Sequence, residues 1–217
     1  MKTLLLGILF LILIGIGGFL YRNAVEHPNE PIACPMDAKQ CPDGTAVGRT
    51  GSSCTFPACP PPNVSLEAVG IAFAVPAGYQ SISTQDPAAI VAYQTSAATF
   101  TEIAPSIIVR RFMVGASSTP LQTIQQTAIG GASGVPVPAT AFSTARLGTH
   151  LFTVVSIERF EAVIDTAYYL ARANDVLRFD AIDHGVLDWT SPALDVHSLP
   201  AAQALRTMLS TLEGQSE

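Results

Sequence analysis

Ala162-Val-Ile-Asp-Thr-Ala-Tyr-Tyr-Leu-Ala-Arg172 and Val176-Leu-Arg-Phe-Asp-Ala-Ile182 flank a tight Asn174-Asp175 turn. Rich in β-branched and aromatic residues around a two-residue turn, the pair reads as a β-hairpin. Its second arm alternates, with Leu177, Phe179 and Ala181 expected inward and Arg178 and Asp180 outward. Just upstream, His150-Leu-Phe-Thr-Val-Val-Ser-Ile157 has the same composition and predicts another strand.

Working outward, Ala68–Val75, Ala89–Thr95 and Ser106–Met113 are short apolar runs that predict three earlier strands. Thr119-Pro120 is a helix start, a capping residue followed by proline at the first helical position. Leu121, Ile124 and Ala128 then share one face, and Gly130-Gly131 closes the helix. From Leu199 to Leu212, Ala201, Leu205, Met208, Leu209 and Leu212 recur at helical spacing, with Gly214 just beyond. The expected globular part is an α+β domain over residues 66–213, an antiparallel sheet packed with one or two helices, followed by a tail at 214–217.

The first residues predict a membrane-spanning element. Thr3 to Leu20 is an uncharged run of 18 residues, roughly 27 Å of helix and close to a bilayer's hydrocarbon thickness. Tyr21 and Arg22 at its end suit an interface. The expectation is a transmembrane signal-anchor over 1–22, a juxtamembrane linker over 23–33, and a single-pass protein whose C-terminal domain is extracytoplasmic. A cleaved signal peptide is the competing reading, because Gly15, Gly17 and Gly18 provide small residues for cleavage. Pro31-Ile-Ala-Cys34 lacks the leucine of a lipoprotein box and lies well past the apolar run.

All four cysteines, Cys34, Cys41, Cys54 and Cys59, fall within 26 residues. A segment so short and so rich in turn residues cannot bury enough apolar surface to hold itself together. Two disulfides would supply the missing stability, and they need an oxidising compartment. Gaps of six, twelve and four residues do not match the paired knuckles of zinc modules. Four cysteines allow three pairings, and spacing does not choose among them. Pro42-Asp43-Gly44 is a turn signal, with Thr45–Val47 and Cys54–Phe56 as expected hairpin arms. A stiff Pro-rich linker, 60–65, follows the segment, 34–59.

Cys41, Pro42, Asp43, Gly44, Val47, Arg49, Cys54, Phe56, Cys59 and Pro60 spell Cys-Pro-Asp-Gly-x-x-Val-x-Arg and a later Cys-x-Phe-x-x-Cys-Pro. Residues 34–60 thus resemble a short four-cysteine motif of predicted exported proteins in candidate-phylum bacteria, also found in secreted eukaryotic proteins. The resemblance implies export. In the globular part, Gly70-Ile-Ala-Phe-Ala-Val-Pro-Ala-Gly-Tyr79 and the closing helix resemble the PsbP-like family over about residues 66–213. That resemblance implies a non-enzymatic accessory or binding module.

A net charge of −6, from 11 basic and 17 acidic residues, argues against nucleic acid, which calls for a basic stripe to displace counterions. With only 13% of residues charged and 48% hydrophobic, a disordered polyelectrolyte is excluded as well. Expected partners are the membrane, through the N-terminal helix, and a protein or another envelope component.

Candidate chemistry is sparse. Asp180, Asp183, His184 and Asp188, followed by Asp195 and His197, form a carboxylate and imidazole set of the kind that binds divalent metals. Asp183, His184 and His197 are the candidate ligands, and a small hydrolase or metal-dependent enzyme using Asp180–His197 is the alternative function. The bland reading is a solvated strand end and loop. Arg110 and Arg111, adjacent on a strand, point to opposite faces, so only one can serve any single site. Trp189 reads as a surface anchor or as half-buried under the last helix. Gly115–Ser118 and Gly131–Gly134 are small-residue loops. No G-x-S-x-G elbow or phosphate loop occurs, so no catalytic residue and no cofactor are assigned. The leading expectation is an extracytoplasmic, non-catalytic binding or envelope-accessory module.

Overall fold

The computed structural model describes residues 2–26, 33–41, 45–59, 61–96, 103–131 and 134–214. The chain divides into two units, one of residues 1–39 with 47–58, the other of residues 40–46 with 59–217.

The first unit contains helix α1, Lys2–Glu26. Here the sequence expectation is corrected: among the described residues, no helix is long and apolar enough to cross a membrane. The expected transmembrane helix is therefore not upheld.

The cysteines pair as Cys34–Cys54, within the first unit, and Cys41–Cys59, within the second. Together these bonds point to an oxidising, extracytoplasmic environment. Strands β1 (Ala38–Gln40) and β2 (Ala46–Gly48) form a two-stranded ribbon. The expected Thr45–Val47 arm thus has a different partner from the one the sequence suggested, and Cys54–Phe56 supplies only an isolated bridge from Thr55 to Thr50. Pro42-Asp43-Gly44 lies outside the described residues. Arg49 organises this segment. Its Nε donates to Asp37 Oδ1 at 2.7 Å, its Nη1 donates to the Cys54 carbonyl at 3.0 Å, and its guanidinium lies 4.3 Å from the centre of the Phe56 ring.

The second unit is built on a seven-stranded antiparallel sheet. Its members are β5 (Tyr79–Ile82), β6 (Ala89–Thr95), β7 (Ser106–Met113), β8 (Ser143–Leu147), β9 (His150–Phe160), β10 (Val163–Ala171) and β11 (Asp175–Asp183), in the spatial order β5-β6-β7-β11-β10-β9-β8. Two meanders, β5-β6-β7 and β8-β9-β10-β11, are joined where β7 pairs with β11. A smaller sheet holds β3 (Val64–Leu66), β4 (Ile71–Phe73) and β12 (Glu213–Gly214). The predicted Ala68–Val75 strand is therefore shorter, opening with a 3-10 turn over Glu67–Val69.

Both faces of the large sheet are covered. On the first, Phe152, Tyr168, Leu177 and Phe179 pack with Leu205, Met208 and Leu209 of α3 (Pro200–Ser210). On the second, Val155, Ile157, Ala167, Tyr169 and Val176 pack with Ile124 of α2 (Pro120–Thr127) and Ala128. Two-sided burial explains why β10 is nearly continuous in small, aromatic and apolar residues.

The two helices are capped differently. α2 has a capping box: Thr119 Oγ1 accepts from Gln122 N at 3.2 Å, and Gln122 Oε1 accepts from Thr119 N at 2.8 Å. α3 begins after Leu199, which has no side-chain oxygen to offer. Asp183, from the end of β11, replaces it. Its Oδ1 accepts from Ala201 N at 2.7 Å and its Oδ2 from Ala202 N at 3.3 Å. Removing that cap leaves two buried helix-end donors unsatisfied. Asp183→Ala is expected to cost about 2 kcal/mol in urea unfolding, with Asp183→Asn, which keeps one acceptor, losing roughly half as much. An unchanged midpoint in the alanine variant would show that water replaces the cap.

Candidate functional site

Arg178 and Asp180 do not face solvent. Both are buried on the second face, with Asp180 0% exposed, so the expectation that they point outward is corrected. In the β7–β11 register Arg178 lies directly opposite Arg110, an arrangement that would repel without a bridging anion. Asp180 supplies it. Its Oδ1 accepts from Arg178 Nε at 2.5 Å, and its Oδ2 accepts from Arg110 Nη1. Arg110 Nε also donates to Asp86 Oδ2 at 2.5 Å, and Arg178 Nη1 donates to the Thr127 carbonyl at 2.9 Å, at the end of α2. Arg111, on the opposite face as the alternation required, bonds Asp175 Oδ2 at 2.6 Å.

Asp165 is the odd member of the cluster. Its Oδ2 lies 3.6 Å from Arg178 Nη2, beyond hydrogen-bond distance, and its buried Oδ1 has no hydrogen-bond partner. Two guanidiniums against the carboxylates of Asp86, Asp165 and Asp180 leave one negative charge uncompensated. Burial first, and then the neighbouring Asp180, push the Asp165 carboxyl well above the usual carboxylate range. Asp86 is held below that range because its bonds to Arg110 and to the backbone outweigh its partial burial.

Asp165 also lines a cavity of about 290 Å³ with Gly131, Glu158, Phe160, Glu161, Val163 and Ile182. Register explains how these residues meet. Asp165 pairs with Glu158 and Ile182, and Val163 pairs with Phe160, so all five side chains share the second face. A bulge between the Thr166–Ser156 and Asp165–Glu158 pairs makes Ile157 the extra residue of β9. Without it Asp165 would face Ile157, and Glu158 and Phe160 would fall on the other side of the sheet. The β9–β10 turn, Glu161-Ala162, has φ of 48° and 62°. Such a left-handed pair is ordinarily given to Asn or Gly, and here it holds Glu161 at the cavity mouth.

The sequence-derived metal set does not come together. Both Asp183 oxygens are engaged by α3. Asp195 Oδ1 accepts from the His197 backbone at 3.0 Å, and His197 Nδ1 lies 3.4 Å from the Tyr168 hydroxyl. His184 is half-buried, and burial lowers its pKa against the pull of Asp183. Asp188 is exposed in the loop after β11. Among the described residues, no group of three His, Cys, Asp or Glu side chains could hold a metal ion. Trp189 sits not under α3 but edge-on to Phe160, with ring centres 6.2 Å apart. Arg159 fixes its loop by donating to the Trp189 and Ser191 carbonyls. Of the Gly131–Gly134 loop, only Gly131 and Gly134 are described.

Sequence reasoning missed Asp165, Glu158, Phe160 and Glu161. The available signal was Asp165 itself, a lone charge in the run Val163–Leu170.

No family model and no curated protein matches the chain. It is similar to a Bacteroides thetaiotaomicron protein whose crystal structure was determined at 1.50 Å resolution, with a TM-score of 0.42 and 9% identity, covering 68% of this chain and 46% of that one. The chain thus spans under half the length of that protein.

The Asp165 assignment gives a signed pH dependence. Well below its ordinary value of 3.8, Asp165 is protonated in both folded and unfolded chains, and its contribution to stability is fully present. That contribution is lost as pH rises through the raised folded value. Asp165→Asn mimics the protonated side chain. Its advantage over the natural residue in urea unfolding is expected to grow from near zero at about pH 4 to about 1–2 kcal/mol at about pH 8. A difference that is flat or reversed with pH would mean that Asp165 is ionised in the fold.

Proposed function

We propose that this chain is an extracytoplasmic, non-catalytic binding module whose ligand seat is the cavity lined by Asp165, Glu158, Phe160 and Ile182. The observation that carries this reading is the cavity itself, an open space with apolar walls and the carboxyl groups of Glu158, Glu161 and Asp165 around it. Apolar walls with a few convergent polar groups are the usual make-up of a ligand site. At about 290 Å³ the cavity falls just below the roughly 300–1,000 Å³ range of such sites, which suits a side chain or a small molecule.

Other carboxylates near the cavity and in the metal set already have structural work. Asp180 bridges two arginines, Asp183 caps α3, and Asp195 caps the turn at His197. This weighs against a hydrolase using the Asp180–His197 region. The PsbP-like resemblance of Gly70–Tyr79 leans toward an accessory role as well.

Trp189 is the single tryptophan of the chain and packs against a cavity residue, so its emission reports on the seat. Titration of the full chain, disulfides intact, with alkylamines, alkanols, alkanoates and short blocked peptides is expected to give a saturable change for at least one class. Phe160→Ala should abolish that change, and the ligand should be recovered chemically intact. Silence across all classes, or recovery of a cleaved ligand, would remove the reading.

A further inference from the structure

Where α3 covers the first face of the large sheet, one buried hydroxyl holds two basic side chains. Tyr168, on β10, is 0% exposed and packs edge-on against Phe152. Its hydroxyl accepts from Arg206 Nη1 of α3 at 3.2 Å and lies 3.4 Å from Nδ1 of His197, in the 3-10 turn Val196–Ser198. A guanidinium can only donate. The phenol proton of this fully buried residue is therefore left for His197, whose Nδ1 is its acceptor among the described residues. The imidazole hydrogen is then on Nε2, on the far side of the ring from the phenol.

Arg206 has one of its five donors engaged by Tyr168, and no carboxylate lies within ion-pair distance of it among the described residues. The acids on the approach to α3 are engaged elsewhere: Asp183 accepts from Ala201 and Ala202, and Asp195 Oδ1 from the His197 backbone. An arginine or a histidine alone on a surface is solvated and recognises nothing in particular. Here a core tyrosine, itself fixed by the sheet, ties one atom of each to the same oxygen. His197 is exposed and Arg206 partly so, which leaves the remaining donors of both within reach of a ligand. Support of this kind, from a locked residue behind the contacting groups, is what a preorganised site requires.

We propose that Arg206 and His197 form a second binding site, away from the cavity on the opposite face of the sheet, for a monoanionic carboxylate. One carboxylate oxygen accepts from Arg206 and the other from His197 Nε2, while Tyr168 is the positioning residue that holds both. Asp195 puts a carboxylate on the turn that carries His197. Its repulsion grows with the charge of the ligand, so a monoanion is favoured over a dianionic phosphate.

Full chain, disulfides intact, is titrated at constant ionic strength and about pH 7.5, where methyl phosphate is dianionic. The probes are propanoate, propanamide and methyl phosphate, followed by the nitrogen-15 signals of the His197 ring and Arg206 Nε. Propanoate is expected to shift both signals saturably, binding at least about tenfold tighter than propanamide and tighter than methyl phosphate. Arg206→Gln should weaken it about tenfold and His197→Ala severalfold. Tyr168→Phe keeps the ring and removes the hydroxyl. It should weaken propanoate severalfold and turn the His197 ring signals from the Nε2–H tautomer to a mixture, a change that lost packing would not give. If that variant does not fold, the Arg206 and His197 variants, both outside the core, decide. Phe160→Ala, at the cavity, should leave propanoate binding unchanged. A free small acid and a peptide C-terminus carry the same group. Acetyl-trialanine binding more tightly than propanoate assigns the site to a peptide terminus, and the reverse order to a small acid.

Three results overturn the inference. If propanoate saturates neither signal, or binds Arg206→Gln as tightly as the natural chain, there is no such site. If binding is lost in Phe160→Ala and kept in Arg206→Gln, the carboxylate belongs to the cavity, and the reading of the cavity as a ligand seat stands while this site falls. Methyl phosphate binding as tightly as propanoate removes the carboxylate assignment.

Discussion

Arg110 and Arg178 lie directly across from each other where the two meanders meet, and only an anion between them makes that junction tolerable. Asp180 is that anion. Among the described residues, the pairing of β7 with β11 is what joins β5-β6-β7 to β8-β9-β10-β11 in the large sheet, and this bridge sits within it. It also sets the character of the second face. Buried guanidiniums need acceptors for their remaining donors, and Arg178 takes the Thr127 carbonyl at the end of α2. The ion cluster therefore helps to hold α2 over the face that Ile124 and Ala128 cover with apolar side chains. Removing one partner from such a cluster strands an uncompensated buried charge and costs far more than the pair contributes.

The same bridge leaves Asp165 unprovided for. Asp86 and Asp180 take the closer contacts of the two arginines, and Arg178 Nη2 lies 3.6 Å from Asp165 Oδ2. A different constraint, the extra residue Ile157, brings Glu158 and Phe160 round to the same side. One local departure from strand periodicity thus converts an ordinary sheet face into a cavity with a carboxyl floor and an aromatic wall. Bulges recur at sites where a side chain is re-aimed, and the left-handed Glu161-Ala162 turn next to this one has the same effect at the mouth.

Strands β6, β7, β10 and β11, α2 with its capping threonine, and α3 were legible because each is long or periodic enough to announce itself. Strands β5 and β8 were not: both are polar edge strands, Tyr79–Ile82 and Ser143–Leu147, whose pairing is decided by neighbours rather than by composition. The β9 strand was read as ending at Ile157, the point where the bulge breaks its alternation. Arg178 and Asp180 were read outward because alternation alone cannot tell solvent from a second buried layer. The unbroken run in β10 did carry that information, since a strand without a polar face is covered on both sides. The N-terminal run of 18 uncharged residues suggested a membrane span that the described part of α1 does not sustain. Cysteine pairing was beyond spacing, because loop length leaves all three connectivities open.

Asp183, His184 and His197 do not form a metal-holding group among the described residues, for a reason that bears on function. Asp180, Asp183, His184 and His197 are close in sequence because a strand end, a loop and a helix start follow one another there, and each turns its polar groups to a different structural need. Asp183 replaces a missing helix cap, Asp180 neutralises two arginines, and Asp195 closes the turn that carries His197. Sequence proximity of acids and imidazoles reflects chemistry only when the backbone makes them converge, and here it disperses them. Glu158, Glu161 and Asp165 are drawn from one strand end, one turn and the next strand, and they do converge, because a hairpin places the residues on either side of its turn together by construction. A seat made this way depends on the β9–β10 hairpin and its neighbour β11, and it is formed wherever the sheet is formed.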